Sequence, residues 1–64
     1  MIYAVLYDKN GKEIEKVDIY MTDETLQAYH TNKEINAQIQ QAIRAYGERK
    51  WKDFDCYEIR KEGN

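Results

Sequence analysis

The alternation of apolar and polar residues predicts a β-hairpin at the start of the chain. An apolar run over Ile2 to Asp8 is followed by Asn10-Gly11, and then by a charged run that alternates with apolar residues as far as Tyr20. Asn-Gly between two β-prone segments is a strong hairpin signal, because both central residues of a type I′ turn need a positive φ. A two-residue turn at this position pairs Tyr7 with Ile14 and fixes the register of the remaining pairs.

This register divides the side chains of the predicted hairpin between two faces. The first face has the composition of a core and holds Ile2, Ala4, Leu6, Val17, Ile19 and Met21, with Glu15 near the turn. The second face holds Tyr3, Val5, Tyr7, Ile14 and Tyr20, together with Lys16 and Asp18. The first strand is apolar on both faces, which is typical of a central strand.

The spacing of apolar residues then changes from two to about three and a half, which predicts helices. Thr22-Asp23 can cap a short helix or turn over about 23–29, and the apolar pattern breaks between His30 and Lys33. Thr31 and Glu34 have the spacing of a capping box, and the main helix is predicted over about 32–46. Its apolar stripe consists of Ile35, Ile39, Ala42, Ile43 and Tyr46, and Gly47 follows as a left-handed C-cap.

A third strand is predicted from Phe54 to Arg60. Its alternation is ambiguous, and we expect Phe54 and Cys56 to point into the core, with Cys56 acting as a small buried apolar side chain. A right-handed crossover from the second strand to the third places the third strand beside the first. The sequence therefore predicts one α+β domain over 1–64, of order ββαβ. Its antiparallel sheet has strand order 2-1-3, and the main helix and the short element before it pack on one face.

Composition narrows the classes of function. The chain has 64 residues, 12 acidic and 10 basic, with one Cys and one His. No intramolecular disulfide and no common zinc site can form, and no metal or other cofactor is expected. The slight acidic excess argues weakly against a non-specific nucleic-acid binder. A signal peptide and a long apolar segment are both lacking, which favours a soluble cytoplasmic protein.

The leading hypothesis is a non-enzymatic protein-interaction module that binds through the uncovered sheet face. Tyrosine is enriched at interfaces, although Tyr and Val are also ordinary strand residues. The predicted partner-binding residues are Tyr3, Val5, Tyr7, Ile14, Tyr20, Tyr57 and Ile59. An acidic edge formed by Glu13, Glu15, Asp18, Asp23 and Glu24 could assist, and the partner is either a foreign protein or a second copy in a homodimer.

Two alternatives use other residues. Arg49, Lys50, Trp51 and Lys52 combine basic and aromatic side chains as in single-strand nucleic-acid binders. Neighbouring acids cancel that charge, which favours a solvated connection with Trp51 closing the core. A small-molecule pocket at the junction of Tyr29, His30 and the third strand is the other alternative. Catalysis is not expected, because a pair of Cys56 and His30 lacks an orienting third group.

In size and composition the chain resembles small proteins of bacteriophages and mobile elements. These are often short, tyrosine-rich, cysteine-poor α+β proteins. The resemblance covers no particular motif. It favours a protein that binds and inhibits a larger host protein or complex.

Overall fold

A three-stranded antiparallel sheet with β1 at its centre carries two helices on one face. The computed structural model describes residues 1–63. The elements are β1 (Ile2–Asp8), β2 (Glu13–Asp18), α1 (Asp23–Thr31), α2 (Lys33–Lys50) and β3 (Phe54–Lys61). The sheet order β2-β1-β3 confirms the predicted α+β fold, with one long helix and a shorter one before it.

The hairpin turn differs from the predicted type I′ turn. The Asp8 N–H donates to the Lys12 carbonyl at 2.9 Å, and the Gly11 N–H donates to the Asp8 carbonyl at 3.0 Å. Gly11 alone within the turn has a positive φ, of 80°. This geometry is a three-residue loop in which a type I turn ends on a left-handed glycine. The Asp8 carboxylate favours it by accepting from the N–H groups of Asn10 and Lys12, both at 2.9 Å.

A β-bulge next to the turn restores the predicted register. Tyr7 lies opposite Glu13 rather than Ile14, but Leu6 lies opposite Glu15 as predicted. Ile14 is therefore the extra residue on β2, and it packs against the core on the helix side of the sheet. The predicted pairs from Leu6 back to Tyr3 are correct, and the predicted pair of Tyr7 with Ile14 is wrong.

Asn32 separates the two helices. Its backbone is extended, with φ −117° and ψ 117°, so the helix cannot continue through it. Its side-chain oxygen accepts from the N–H groups of Glu34 at 2.9 Å and Ile35 at 3.1 Å. The predicted break is thus correct, but the cap of α2 is Asn32, and Thr31 is the last residue of α1.

Gly47 lies inside α2 and does not end it. The helix continues to Lys50, and Trp51 follows as an extended C-cap residue. A Cβ atom on Gly47 would lie 2.7 Å from the Cδ1 atom of the Phe54 ring. The glycine is needed because the ring of β3 touches the helix backbone there, and not because the chain turns.

The core is small and is centred on β1. The buried apolar side chains are Ile2, Ala4, Val5, Leu6, Ile43 and Phe54. Phe54 points inward as predicted, but Cys56 is exposed, and Tyr57 and Ile59 pack against the core instead. The register of β3 against β1 shifts between Tyr7 and Asp8, so the inward position passes from Phe54 to Tyr57. In the described part of the chain, no helix has the length and apolar character that a membrane crossing requires.

Candidate functional site

The structure divides the predicted interaction residues among three places. Tyr3, Val5 and Tyr7 lie on the sheet face away from the helices, as predicted. The predicted placement of three others on that face is wrong: Ile14, Tyr57 and Ile59 pack against the core beneath the helices. The Tyr57 hydroxyl shares a 2.7 Å hydrogen bond with the Tyr29 hydroxyl of α1. Tyr20 follows β2 and is 88% exposed.

The uncovered sheet face is charged rather than apolar. Arg60 donates to Glu58 at 2.8 Å and to the Tyr7 hydroxyl at 2.9 Å, and Tyr7 donates to Glu58 at 3.1 Å. The hydrogen bond from Arg60 holds the pKa of Glu58 below its usual value. Val5 lies opposite Glu58 and Lys16 and is fully buried beneath such long side chains. This face therefore presents a solvated polar network, and not a free apolar patch.

Glu15 ties β2 to the end of α2. Its carboxylate accepts from Trp51 Nε1 at 2.7 Å, from the Tyr46 hydroxyl at 2.7 Å and from Lys50 Nζ at 3.1 Å. Burial raises the pKa of Glu15, but the hydrogen bonds from Trp51, Tyr46 and Lys50 outweigh it and hold the pKa below its usual value. Sequence reasoning placed Glu15 on the core face but gave it no partner.

This network also occupies half of the basic segment predicted as a nucleic-acid site. Lys50 and Trp51 bind Glu15, whereas Arg49 and Lys52 are exposed. The four side chains therefore do not form one free surface. Trp51 packs against the core, as the structural interpretation of this segment predicts.

An apolar groove lies between β2 and α2. We call it the β2–α2 groove, and its volume is about 410 Å³. Its lining is Val17, Ile19, Tyr20, Met21, Thr22, Thr25, Ile39, Ala42, Ile43 and Tyr46. A volume of this size and an apolar lining with a few hydroxyl groups are typical of binding sites.

The groove lies where the backbones of α2 and β2 are far apart. The α2 backbone contacts the Phe54 ring of β3 at Gly47, but it makes no comparable approach to β2, which α2 reaches through the Tyr46 and Lys50 side chains on Glu15. Val17 and Ile19 therefore point towards the helix layer but stay only partly buried. Sequence reasoning assigned both groove walls to the core and missed the gap between them.

Tyr20 lies at the rim of this groove in an unusual backbone conformation. Its φ is +51°, which makes it the one non-glycine residue with positive φ in the described part of the chain. The left-handed conformation costs roughly 1–2 kcal/mol for a residue with a Cβ atom. The Tyr20 N–H has a long 3.4 Å hydrogen bond to the Asp18 carboxylate. The strained backbone holds a large aromatic side chain out in solvent.

The remaining predicted sites are not assembled. A hollow of about 220 Å³ adjoins Tyr29 and His30, but its other lining residues belong to the helix junction and none to β3. Asp23 binds Lys61 at 3.0 Å and Glu15 is held by α2, so the acidic residues do not converge. Across residues 1–63, no three His, Cys, Asp or Glu side chains are grouped to hold a metal ion.

Comparison of the chain with protein families, with curated proteins and with solved structures finds no match. The inhibitor and nucleic-acid roles stay predictions.

Proposed function

We propose that this protein is a non-enzymatic interaction module that binds an extended protein segment along β2 and in the β2–α2 groove. The observation that carries the proposal is the exposed, strained Tyr20 at the rim of an apolar groove beside a free strand edge. Strained backbone persists where the surrounding structure enforces it, and it is concentrated at functional sites.

The chemistry of the site favours a peptide chain as its occupant. β2 is an edge strand, so half of its backbone N–H and C=O groups face no other strand among residues 1–63. An added strand pairs with such groups, while its alternate side chains enter an adjoining apolar groove. A small apolar molecule would fill the groove but would leave the strand edge unused.

The test compares two glutamate variants of α2. Ala42→Glu places a charge in the groove wall, whereas Gln41→Glu adds the same charge on an exposed neighbouring residue that does not line the groove. Immobilised wild-type protein and both variants are exposed to extract of the native source, and the retained proteins are quantified. We expect wild type and Gln41→Glu to retain the same proteins and Ala42→Glu to lose them.

A third variant separates binding from stability. Tyr20→Asn puts a residue that tolerates the left-handed conformation at the rim, so it should raise the stability of the fold while weakening retention. Equal retention by wild type and Ala42→Glu would contradict the proposal, provided that circular dichroism shows both to be folded.

A further inference from the structure

We infer that the segment added to β2 is β2 of a second copy of this chain, in an antiparallel register centred on Val17. The inference rests on the proposed function, because it names a partner for the same strand edge. The two sheets would join into one sheet of six strands, with the β2–α2 groove of each copy beside the shared centre.

Symmetry restricts the possible registers. In an antiparallel pair, residues directly opposite each other lie on the same sheet face. A two-fold axis keeps the helix faces of the two copies on the same side only if one residue of β2 lies directly opposite the same residue of the other copy, with the axis between them. Centring on Glu15, Lys16 or Asp18 sets that charge against itself. Centring on Ile14 would place the axis at the β-bulge, where the alternation of faces along β2 is interrupted. Like charges directly opposite each other destabilise a pair of strands.

Centring on Val17 gives a complementary pairing. Lys16 of each copy then lies opposite Asp18 of the other, so two opposite-charge pairs form on the uncovered sheet face. Val17 meets its own copy on the helix face. Within residues 1–63 neither Lys16 nor Asp18 has an ion-pair partner; Lys16 only lies over the Tyr3 ring, at 5.9 Å from its centroid.

The opposite edge of the sheet is less suited to the same role. A register centred on Ile59 would set Glu58 against Arg60, but these side chains already bind each other at 2.8 Å within one chain. Helix α1 also reaches over β3, where Tyr29 binds Tyr57. On β2, Lys16 and Asp18 have no ion-pair partner within residues 1–63 and can pair with a second copy, whereas Glu58 and Arg60 of β3 are already paired with each other.

The small core and the large exposed surface indicate that binding a second copy would stabilise the fold. The chain exposes 4840 Å² of surface. A compact monomer of this mass exposes about 4,300 Å² by the usual scaling. Chains below about 70 residues often gain stability by oligomerisation. In the register centred on Val17, Val17 of the second copy would add an apolar side chain next to Val17 at the groove wall.

Charge reversal tests the register. Sedimentation equilibrium is measured for wild type, Lys16→Asp, Asp18→Lys and the double variant, with Lys12→Asp as a control of equal charge change outside the paired segment. We expect wild type and the control to form dimers. Each single reversal should weaken dimerisation roughly tenfold or more, because two like-charge pairs replace two opposite ones. The double variant should recover the wild-type affinity.

A disulfide provides a second readout in a Cys56→Ser background. Val17→Cys should oxidise to a covalent dimer, because directly opposite Cα atoms lie about 4.5–5.5 Å apart. Lys16→Cys should not form a covalent dimer. In this register the two copies of residue 16 are offset by two residues along the strands, so their Cα atoms lie roughly 8 Å apart, too far for a disulfide.

The outcomes separate the inference from the proposed function. A wild-type chain that stays monomeric at its solubility limit overturns the inference, and so does a dimer whose affinity is the same in all four charge variants. If Ala42→Glu still loses retained proteins in either case, the proposed function stands without the second copy. Recovery in the double variant, together with the Val17→Cys disulfide, supports the inference even where no foreign protein is retained.

Discussion

Replacing Gly47 with alanine should set helix propensity against core packing. Alanine is favoured over glycine inside a helix by about 1 kcal/mol. The added Cβ atom would lie 2.7, 2.8 and 2.9 Å from three atoms of the Phe54 ring. Carbon atoms attract best at about 3.5–4.0 Å, so the buried ring would have to retreat by close to 1 Å.

The packing cost should be the larger effect. Overpacking a well-filled core costs about 1–3 kcal/mol. Phe54 is 7% exposed, so its ring has little open space to enter. Gly47→Ala should therefore lower the free energy of unfolding by about 1 kcal/mol, against a total of a few kcal/mol for a domain of this size.

A double-mutant cycle with Phe54→Leu isolates the contact. Leucine is smaller and can change rotamer, so in that background Gly47→Ala should raise the free energy of unfolding by about 1 kcal/mol through propensity alone. Equilibrium urea unfolding gives all four values, and an unchanged slope against urea shows that the unfolded state is comparable. If Gly47→Ala raised the free energy of unfolding as much in the wild-type background as in the Phe54→Leu background, the close approach of the helix to the Phe54 ring would be refuted.

Four further predictions address other parts of the molecule. Glu15→Gln should cost about 1–2 kcal/mol at neutral pH, because charge-assisted hydrogen bonds are lost. Burial raises the folded-state pKa of Glu15, but its hydrogen bonds outweigh burial and lower that pKa. Ionised Glu15 therefore stabilises the fold above pH ~4.5, and this stabilisation is lost as the pH falls through the folded pKa. Acid titration of Glu15→Gln should not show this loss of stability. Burial and, next to it, the hydrogen bond with Tyr29 raise the pKa of Tyr57 in the folded state. Above pH ~10 the unfolded chain loses this proton more readily than the folded chain, so the free energy of unfolding should fall with rising pH, and it should fall less in Tyr57→Phe. Tyr20→Asn should raise the free energy of unfolding by about 0.5–1 kcal/mol in thermal or urea unfolding, and a loss of stability would contradict the strain at Tyr20. Cys56 should react with a thiol reagent in the native protein at nearly the rate of a free thiol, whereas slow reaction limited by unfolding would contradict its exposure.

The hairpin shows how far local pattern extends. The apolar residues on both faces of β1 correctly predicted a central strand, because a strand covered on two sides needs apolar side chains on both. The turn was predicted wrongly, because the Asp8 carboxylate binds two N–H groups of the turn and favours a three-residue loop. The bulge at Ile14 then compensated for that error, and neither feature has a marker in the hydrophobic pattern.

The error in β3 has a similar physical cause. If residues alternated strictly from Phe54 onwards, Cys56 would point into the core. One extra residue lies between Phe54 and Cys56 in the pairing with β1, so Cys56 points outward and Tyr57 points inward. The side chains on both sides of the strand are compatible with a core, so the sequence contained no basis for choosing. The pairing with β1 and the contact of Tyr57 with Tyr29 decided it.

By itself the sequence determined the three strands, the break before the main helix and the order of the sheet. These depend on local backbone preference and on which residues avoid water. Only the tertiary structure decided where α2 rests on the sheet, because that position depends on contacts that form only in the folded chain, such as Gly47 with the Phe54 ring and Tyr46 with Glu15. Val17 and Ile19 stay partly uncovered beside α2, so the candidate site moved from the tyrosine-bearing sheet face to the groove beside β2.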